Sequence, residues 1–410
     1  MKHFGLCCPA ETGHLHTMIP LGRELQRRGH RVSYFGLPDA RPKMEAAGLR
    51  FVEVGGDRLP PAASAALLAQ LGQTQGIPAV LLTLRWFYRV AETFLAAAPA
   101  ILQQENVTAL VVDQLAPEGG TVAEHLGLPF ATVCSALPID PDPDVPPVFL
   151  PWPYRPSWRS RLAHRLVGAI GSPLGRPLYA LRARYRRQWG LPPEVSYNSP
   201  RLILCQEPPA LEFPRQGWPA HFHFTGPYHQ PGDRPPSLSP WAKLDGRPLV
   251  YASLGTLQNR LGSVFAQIAV ACAPLPVQLV ISLGGSPVSL PPLPGAPIVV
   301  TYAPQLELLD RAIAVVTHGG LNTVLECLTR GLPMVVLPIT NDQPGVAARV
   351  AHAGAGISLP ATQLRVPALQ AALSQVLTDP HYRHQAQRLQ QDIQAAGGLL
   401  RAVDLLEQHL

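Results

Sequence analysis

Short apolar runs bounded by glycine or proline alternate along the chain with longer segments whose apolar residues recur at helical spacing. In one longer segment, Pro20 to Arg28, Leu21 and Leu25 lie four residues apart and share a helical face. Such alternation is typical of parallel β-α-β units, and it occurs twice here. The pattern therefore predicts an α/β fold with two doubly wound domains. Predicted strands span residues 3–9, 30–36, 49–54, 107–113, 129–135 and 201–206 in the first half, and 248–254, 277–283, 297–302, 313–317 and 333–337 in the second.

A proline-rich stretch separates the two halves. Five prolines fall between residues 227 and 240, a composition that suits a semi-rigid linker and not a central strand. The predicted organisation is a first domain over residues 1–227, a linker over 228–247, a second domain over 248–380 and a helical segment over 381–410. The pattern alone leaves open which domain this last segment packs against.

Composition narrows the class of protein. The chain has 410 residues, of which 47% are hydrophobic and 15% charged, so a disordered chain, a coiled coil and a collagen-like chain are excluded. The net charge of +6 is mild for this length and does not by itself indicate a nucleic-acid binder. The chain shows no signal-peptide pattern, and no apolar stretch approaches the roughly 18–20 residues of a membrane helix. We therefore expect a cytoplasmic protein.

The most informative block spans residues 317–326, with the sequence THGGLNTVLE. A strand is predicted to end at Thr317 and a helix to start near Leu321, with two glycines in the turn. The free N–H groups and the dipole of a helix N-terminus favour a phosphate at such a point. An ordinary strand-turn-helix uses the same residue types, so this block alone does not decide the function. The candidate side chains are His318, Asn322 and Thr323 for a diphosphate, and Glu326 for ribose hydroxyls.

Three further polar loops follow predicted strands of the second half. They are Ser253-Leu254-Gly255-Thr256, Tyr302-Ala303-Pro304-Gln305 and Pro338-Ile339-Thr340-Asn341-Asp342-Gln343. Ligands of open parallel sheets bind outside the carboxyl ends of the strands, so the four loops are expected to converge on one crevice. Ser253 offers a hydroxyl for phosphate and Tyr302 an aromatic plane for a base. Asp342 and Gln343 suit the hydroxyls of a sugar, although Asp342 also suits a helix N-cap.

These motifs resemble the family 1 glycosyltransferases, the UDP-glycosyltransferase superfamily with the GT-B fold. Residues 302–343 are similar to the family's signature in order and spacing, and the opening GHLHTM, residues 13–18, is most like bacterial members acting on carotenoids, macrolides and similar lipophilic acceptors. The resemblance implies two Rossmann-like doubly wound domains that face an interdomain cleft. The chain departs from the family at Tyr302, where many relatives have Trp, and at His16, where Asn is frequent.

The resemblance also implies that His14 is the general base and that Asp113 orients it. From the sequence, His14 is expected in the loop after the first strand, with Asp113 at the end of another strand that opens on the same crevice. An imidazole with a pKa near 6.5 can take a proton from an acceptor hydroxyl near neutral pH. Direct attack on the anomeric carbon as UDP leaves predicts inversion, with the leaving charge met by hydrogen-bond donors and not by a metal.

The resemblance implies a donor site and an acceptor pocket. The donor site comprises Ser253, Gly255, Thr256, Tyr302, Ala303, Gln305, His318, Gly320, Leu321, Asn322, Thr323, Glu326, Asp342 and Gln343. The acceptor pocket includes Gly13, His16, Trp86 and Pro138. The expected substrates are a UDP-sugar, with glucose favoured by Asp342 and Gln343, and a hydrophobic small molecule that carries hydroxyl groups.

Two other functions on the same two-domain plan stay open. One is a sugar-nucleotide isomerase or hydrolase, which would need no pocket for a lipophilic acceptor. The Pro/Trp-rich segment near residue 150, interpreted as a wall of such a pocket, argues against it. The other is a non-catalytic nucleotide-sugar-binding protein, which would be indifferent to loss of His14. A nicotinamide dehydrogenase lacks support because no GxGxxG follows a predicted strand.

An arginine-rich segment is left without a role by these motifs. Residues 145–193 contain nine arginines and no acidic residue, and aromatic residues are interleaved over 152–187. One interpretation is a solvated helical face, and another is peripheral contact with the inner face of an anionic membrane. Nucleic-acid binding is disfavoured because no such motif accompanies the charge. The oligomeric state stays open.

The sequence offers no strong metal site, and we expect no cofactor. The six cysteines show no CxxC spacing. Asp140, Asp142 and Asp144 resemble a DxD metal motif, but the alternating prolines favour an extended loop and a hard cation usually needs more oxygen ligands. His221 and His223 share one side of a strand without a third ligand in view.

Overall fold

The computed structural model describes residues 1–71, 74, 76–140, 142–215, 217–229, 241–256, 261–285 and 288–410. Two parallel β-sheets, each flanked by helices, divide the chain into two domains. The predicted α/β fold with two doubly wound domains is confirmed.

Seven parallel strands form the sheet of the first domain, in the order β3-β2-β1-β4-β5-β6-β7. They are β1 (His3–Cys7), β2 (Arg31–Gly36), β3 (Arg50–Glu53), β4 (Ala109–Asp113), β5 (Phe130–Cys134), β6 (Ile203–Cys205) and β7 (Phe222–Phe224). The helices of this domain are α1 (Thr12–Arg27), α2 (Arg41–Ala46), α3 (Pro61–Leu71), α4 (Gly76–Gln104), α5 (Glu118–His125) and α6 (Trp158–Gln188). A short 3-10 helix, Pro38–Ala40, precedes α2.

Six parallel strands form the second sheet, in the order β10-β9-β8-β11-β12-β13. They are β8 (Leu249–Ser253), β9 (Gln278–Ser282), β10 (Ile298–Val300), β11 (Ala312–Thr317), β12 (Met334–Val336) and β13 (Gly356–Ser358). The helices of this second half of the chain are α7 (Gly262–Cys272), α8 (Gln305–Leu309), α9 (Leu321–Leu328), α10 (Gln343–His352), α11 (Val366–Thr378), α12 (Pro380–Ala395) and α13 (Gly398–His409), of which α13 packs against the first domain. The 3-10 helix Trp241–Lys243 precedes β8, and Ala361–Gln363 follows β13.

The central strands are apolar because helices cover both faces of each sheet. All five residues of β1, β4, β5 and β8 are buried. In each sheet the strand order reverses once, between β1 and β4 in the first and between β8 and β11 in the second. Ligands of doubly wound sheets bind at this switch point, beyond the carboxyl ends of the strands. The order therefore marks the ends of β1, β4, β8 and β11 as the places to look for a site.

The C-terminal helical segment divides between the two domains. Residues Ala386, Leu389 and Ile393 of α12 belong to the hydrophobic core of the second domain. Residues Leu399 and Leu406 of α13, in contrast, pack into the core of the first domain. The segment that follows residue 380 therefore packs against both domains. The chain returns from the second domain to the first at Gly397 and Gly398, where both residues have positive φ.

Ion pairs reinforce the return of α13 to the first domain. Arg28, at the end of α1, lies 2.7 Å from carboxylate oxygens of both Asp404 and Glu407. His30 Nε2 lies 2.8 Å from the second oxygen of Glu407. These pairs join residues more than 370 positions apart in sequence, so both ends of the chain contribute to one domain.

The structure differs from the predicted elements in two places. His14 was expected in a loop, but α1 begins at Thr12, so His14 lies in the first helical turn, with its N–H bonded to the carbonyl of Glu11. Strands β7 and β13 were not in the predicted set of strands, although β7 includes His223, which was placed on one side of a strand with His221. The predicted linker lies partly outside the described residues, since 230–240 are not described.

Within the described ranges, no helix has both the length and the apolar character needed to cross a bilayer.

Leu406 tests the return of α13. The side chain is fully buried, so Leu406→Ala is expected to lower the free energy of unfolding by about 2–5 kcal/mol through lost burial and a residual cavity. Leu400, on the same helix, is 51% exposed, and Leu400→Ala serves as the matched control with a change below about 0.5 kcal/mol. Urea denaturation of both variants measures the difference. Equal effects would contradict the packing described for α13.

Candidate active site

His14 and Asp113 meet at the switch point of the first sheet. His14 Nδ1 lies 2.8 Å from Asp113 Oδ2, and the side chain of Asp113 is fully buried. The other carboxylate oxygen accepts a 2.8 Å hydrogen bond from the N–H of Leu115. The carboxylate is thus fixed on both oxygens, and Nε2 of His14 is the ring nitrogen left for a substrate.

Ser135 is a third member of this group, and sequence reasoning missed it. Its Oγ lies 2.7 Å from His14 Nδ1, and it comes directly after β5, next to β4 in the sheet. The signal was present in the sequence, because Ser135 is a polar residue placed at the end of an apolar run. The hydroxyl adds a second constraint on the imidazole ring.

The pKa of His14 differs from the value expected from sequence. Burial acts to lower the pKa, but the charge and hydrogen bond of Asp113, together with Glu11 and Asp342, raise it to about 9. At pH 7 a pKa of about 9 leaves about one imidazole in a hundred neutral. The pKa of His14 is thus higher than the ordinary imidazole value near 6.5 used in the sequence analysis.

His318 occupies the corresponding place in the second domain, directly after β11. A Cβ built on Gly255 or on Gly320 would lie 2.6 Å from its ring, so the ring fits between two residues that must lack a side chain. Burial lowers the pKa of His318 to about 4, with a weaker opposing effect of the Ser253 backbone. His318 is therefore neutral at physiological pH and can donate one hydrogen bond to an anion at the start of α9.

A hydrogen-bonded group lies behind the start of α9. Gln305 Nε2 donates to Glu326 Oε2 at 2.6 Å and to Thr323 Oγ1 at 3.3 Å. The Tyr251 hydroxyl donates to Gln305 Oε1 at 3.0 Å. Glu326 was predicted to accept hydrogen bonds from ribose hydroxyls, and this role stays a prediction. Its carboxylate lies against Gln305 and beside a small cavity of about 20 Å³.

Asn322 joins the two domains. Its Nδ2 donates to the carbonyl of Gly13 at 2.7 Å, and its Oδ1 accepts a 2.9 Å hydrogen bond from Gln206 Nε2. Gln206 follows β6 and also donates to the carbonyl of Ser135 at 3.1 Å. Asn322 was predicted to bind a diphosphate, and one Nδ2 proton is left for that role. Gln206 was missed because nothing in its local sequence shows which domain it faces.

Asp342 and Gln343 close the site at the start of α10. Burial raises the pKa of Asp342, while His14 is among the groups that act in the opposite direction. Gln343 Oε1 accepts hydrogen bonds from the N–H groups of Ile339 and Thr340, at 2.9 and 3.1 Å. This bonding orders the loop before α10 and fixes the position of the Gln343 amide group.

A cleft of about 460 Å³ lies between the domains, and its wall includes most of the predicted site. The predicted residues that line it are Gly13, His14, His16, Trp86, Ser253, Gly255, Thr256, Tyr302, Ala303, Gln305, His318, Gly320, Leu321, Asn322, Thr323, Asp342 and Gln343. Three predicted residues do not line it. Asp113 lies behind His14, Glu326 behind Gln305, and Pro138 is buried between the lining residues Leu137 and Ile139.

A second cavity of about 470 Å³, which we call the inner chamber, extends into the first domain. Trp86, Phe87 and Leu115 line both it and the cleft, so the two spaces adjoin. The chamber wall is mostly apolar but contains Glu118, whose pKa burial raises to about 7, helped by Asp113. Sequence reasoning missed Glu118, which looked like an ordinary acidic residue in the first turn of a helix.

Among the described residues, no group of three or more His, Cys, Asp and Glu side chains is placed to hold a metal ion. Asp144 of the DxD-like segment forms an ion pair with Arg161.

The chain is similar to known proteins in sequence and in fold. The family model described as "UDP-glucoronosyl and UDP-glucosyl transferase" matches residues 194–395. A zeaxanthin glucosyltransferase from Pantoea ananas is 31% identical over 416 residues, which covers 100% of this chain and 96% of the relative. The chain belongs to the UDP-glycosyltransferase family. A 4'-demethylrebeccamycin synthase from Lentzea aerocolonigenes is 30% identical, over 96% of both proteins.

The solved glycosyltransferase of kitacinnamycin superimposes on this glycosyltransferase with a TM-score of 0.78, 24% identity and coverage of 100% and 99% of the two chains. The predicted family, the GT-B fold and the glycosyltransferase activity are thus confirmed. The assigned roles of individual residues stay predictions.

The pH dependence of turnover tests the pairing of His14 with Asp113. The quotient kcat/KM reports on the free enzyme, so it is expected to rise about tenfold per pH unit up to a pKa of about 9, because only the neutral imidazole accepts a proton. Asp113→Asn removes the charge that raises this pKa. In the variant, the rising part of the pH profile of kcat/KM is expected to shift to lower pH, and its plateau to fall by about 10²–10⁴-fold. A rising part that stays at the same pH would contradict the pairing of His14 with Asp113.

Donor binding tests the Gln305–Glu326 group. Glu326→Ala removes the 2.6 Å hydrogen bond from the Gln305 amide and leaves that amide only its longer bond to Thr323, so KM for UDP-glucose is expected to rise about 10- to 100-fold. The exposed Glu307, two residues after Gln305 on α8, provides the control variant Glu307→Ala, whose KM should not change. Initial-rate kinetics measure both. An unchanged KM for Glu326→Ala would exclude a donor role for this group.

Proposed function

We propose that this glycosyltransferase transfers glucose from UDP-glucose, with inversion and without a metal ion, to a hydroxyl group of a lipophilic small molecule. The observation that carries the proposal is the His14–Asp113 pair, 2.8 Å apart, with His14 on the wall of the interdomain cleft, which adjoins the mostly apolar inner chamber. A base in this place can take the proton of an acceptor hydroxyl, and the hydroxyl oxygen then approaches the anomeric carbon of a donor in the cleft.

In the proposed reaction, His14 Nε2 takes the proton from the acceptor hydroxyl. The oxygen then forms a bond to the anomeric carbon while the bond from that carbon to the UDP oxygen breaks. Attack opposite the leaving group converts an α-linked donor into a β-glycoside. Asp113 and Ser135 hold the ring, and Asp113 stabilises the imidazolium that forms.

The charge that develops on UDP is proposed to be met by hydrogen-bond donors of the second domain. These are the N–H groups at the start of α9, the neutral His318, Thr323 and the remaining Nδ2 proton of Asn322. Such a donor set supplies the stabilisation that a metal ion gives in other enzymes, so activity is expected to survive treatment with EDTA.

The acceptor class is inferred from the inner chamber and the relatives. The chamber has space for the apolar body of an acceptor, lined by side chains such as Trp86, Phe94 and Leu178, and it adjoins the cleft that His14 lines. The relatives from Pantoea ananas and Pseudescherichia vulneris, 31% and 32% identical to this chain, are named zeaxanthin glucosyltransferases. We therefore propose a hydroxylated carotenoid as the first acceptor to try.

A hydrolase of nucleotide sugars is the second candidate. The mostly apolar inner chamber adjoins the cleft and offers space for an acceptor, which a hydrolase would not need. Transfer to a bound hydroxyl is favoured over transfer to water for that reason.

The deciding assay measures UDP release from UDP-glucose with and without a panel of hydroxylated carotenoids, flavonoids, sterols and macrolides. We expect acceptor-dependent release and a product heavier by one hexose, with β-configuration by NMR. Release without any acceptor would indicate a hydrolase, and UDP binding without turnover across the panel would indicate a binding protein.

His14→Ala is expected to lower transfer by at least about 10²-fold, because the proton loses its acceptor, while UDP binding measured by calorimetry stays within about twofold. His30→Ala is the matched control, since His30 lies outside the cleft and pairs with Glu407. Equal loss of transfer and of UDP binding in His14→Ala would contradict the general-base role.

A further inference from the structure

The first half of α6 presents an apolar face that the protein does not cover. Trp158, Leu162 and Leu166 recur every four residues, lie on one side of the helix, and are 69%, 50% and 55% exposed. Between residues 158 and 169, His164 is the buried residue that docks the helix, through a 3.0 Å hydrogen bond between its Nδ1 and the carbonyl of Pro143. Contiguous large apolar side chains in solvent indicate an interaction site.

Exposed apolar side chains are concentrated in this part of the molecule. Thirteen large hydrophobic residues are exposed among the described ones, and eight of them fall between residues 139 and 195. These eight are Ile139, Phe149, Trp158, Leu162, Leu166, Leu174, Tyr179 and Val195. The concentration separates this region from the scattered exposed residues that any surface carries.

The arginines of the same segment divide into two groups. Four form ion pairs inside the domain, namely Arg161 with Asp144, Arg182 with Glu194, Arg184 with Glu92 and Arg186 with Glu124. The other five, Arg155, Arg159, Arg165, Arg176 and Arg187, are exposed and form no ion pair within the described part of the chain. Helical spacing places the last four of these on the side of α6 that also carries Trp158 and Leu162.

We propose that the α6 surface, formed by Trp158, Leu162, Leu166, Arg159, Arg165, Arg176 and Arg187, docks on an anionic lipid membrane. An apolar stripe with flanking arginines matches the boundary between acyl chains and acidic headgroups. Residues 145–193 contain no acidic residue that would repel such a surface or neutralise the arginines. Tryptophan at the edge of the stripe fits the same boundary, because its ring has an apolar body and a polar N–H.

The inner chamber lies against the other side of the same helix. Gly175, Leu178, Tyr179 and Arg182 of α6 line it, and Tyr179 is also 53% exposed, so this residue stands at its rim. Docking of α6 would therefore bring the rim of the chamber to the bilayer. Resting on the proposed function, we infer that a lipophilic acceptor enters the chamber from the membrane and not from water.

Vesicle flotation with the full chain tests docking without any substrate. Vesicles of phosphatidylcholine are compared with vesicles of equal parts phosphatidylcholine and phosphatidylglycerol. We expect binding to the anionic vesicles that weakens with added salt, and little binding to the neutral ones. Each neutralised arginine, as in Arg165→Gln and Arg176→Gln, is expected to weaken binding about fivefold, equivalent to about 1 kcal/mol. The double variant Leu162→Asp/Leu166→Asp should abolish it.

Two control variants change exposed residues outside α6. Arg365→Gln removes an exposed arginine before α11, and Leu400→Asp introduces the same charge at an exposed leucine of α13. Both controls should bind vesicles as the unmodified protein does. Circular dichroism and UDP binding confirm that each variant is folded, and the arginine variants preserve the test if the double leucine variant fails to fold.

Three outcomes would overturn docking: no binding to anionic vesicles, equal loss of binding in the controls, or unchanged vesicle binding in the α6 variants. Dimers that dissociate in the α6 variants, combined with absent vesicle binding, would show instead that the surface joins two copies of the chain. Flotation needs neither donor nor acceptor, so failure of the transferase assay leaves this result standing.

Acceptor delivery has its own readout. Transfer to an acceptor embedded in anionic vesicles should fall in the α6 variants, while transfer to the same acceptor in detergent should not. Equal rates for variant and unmodified protein in vesicles would refute entry from the membrane even where docking is observed.

Discussion

The side-chain amide of Asn322, in the second domain, is hydrogen-bonded to Gly13 and to Gln206, both in the first domain, and these bonds join the two domains. The carboxyl ends of parallel strands lie together at one end of a sheet, and the ligand-binding loops follow them. A site that uses loops of both domains therefore requires these two ends to face each other. Asn322 stands at the start of α9 and Gly13 at the start of α1. The contact therefore sets the separation between the helix that would receive the diphosphate and the histidine that would receive the proton.

A buried charge cluster supports this closure from behind. Arg349 of α10 is fully buried and donates through Nε to Glu212 of the first domain at 2.8 Å, while Arg215 approaches the second oxygen of Glu212 at 3.4 Å. Burial, followed by the nearby Glu212, raises the pKa of Glu207 well above its ordinary range. Glu212 lies between the two guanidinium groups. Removing either partner of a buried ion pair leaves the other charge buried without a partner, which is strongly destabilising. The pair therefore opposes separation of the two domains, although it adds little to the net stability of the fold.

The sequence predicted the features that depend on periodicity and on short spacing. Buried parallel strands are apolar runs, and the glycine pair before Leu321 marks a turn into a helix, so both sheets, the family and most of the cleft wall could be located. Ser135 and Gln206 could not, because their importance depends on which residue from another element faces them. The three-residue edge strand β10 was predicted, whereas β7 and β13, of the same length and also at sheet edges, were not. The raised pKa of His14 was also out of reach, since it results from the balance of burial against three carboxylates brought together by folding.

That balance bears on how a paired histidine works as a base. Asp113 holds Nδ1 and thereby selects the ring nitrogen offered to the substrate, but its charge also stabilises the imidazolium and raises the pKa of His14. Burial acts in the opposite direction. Under the proposed function, an apolar acceptor bound beside the ring would displace water and so lower the pKa of His14, while a diphosphate in the cleft would add negative charge and raise it. The pKa of His14 during turnover would therefore depend on both substrates, and an acceptor that excludes water from the ring would bring this pKa closer to neutrality than one that does not.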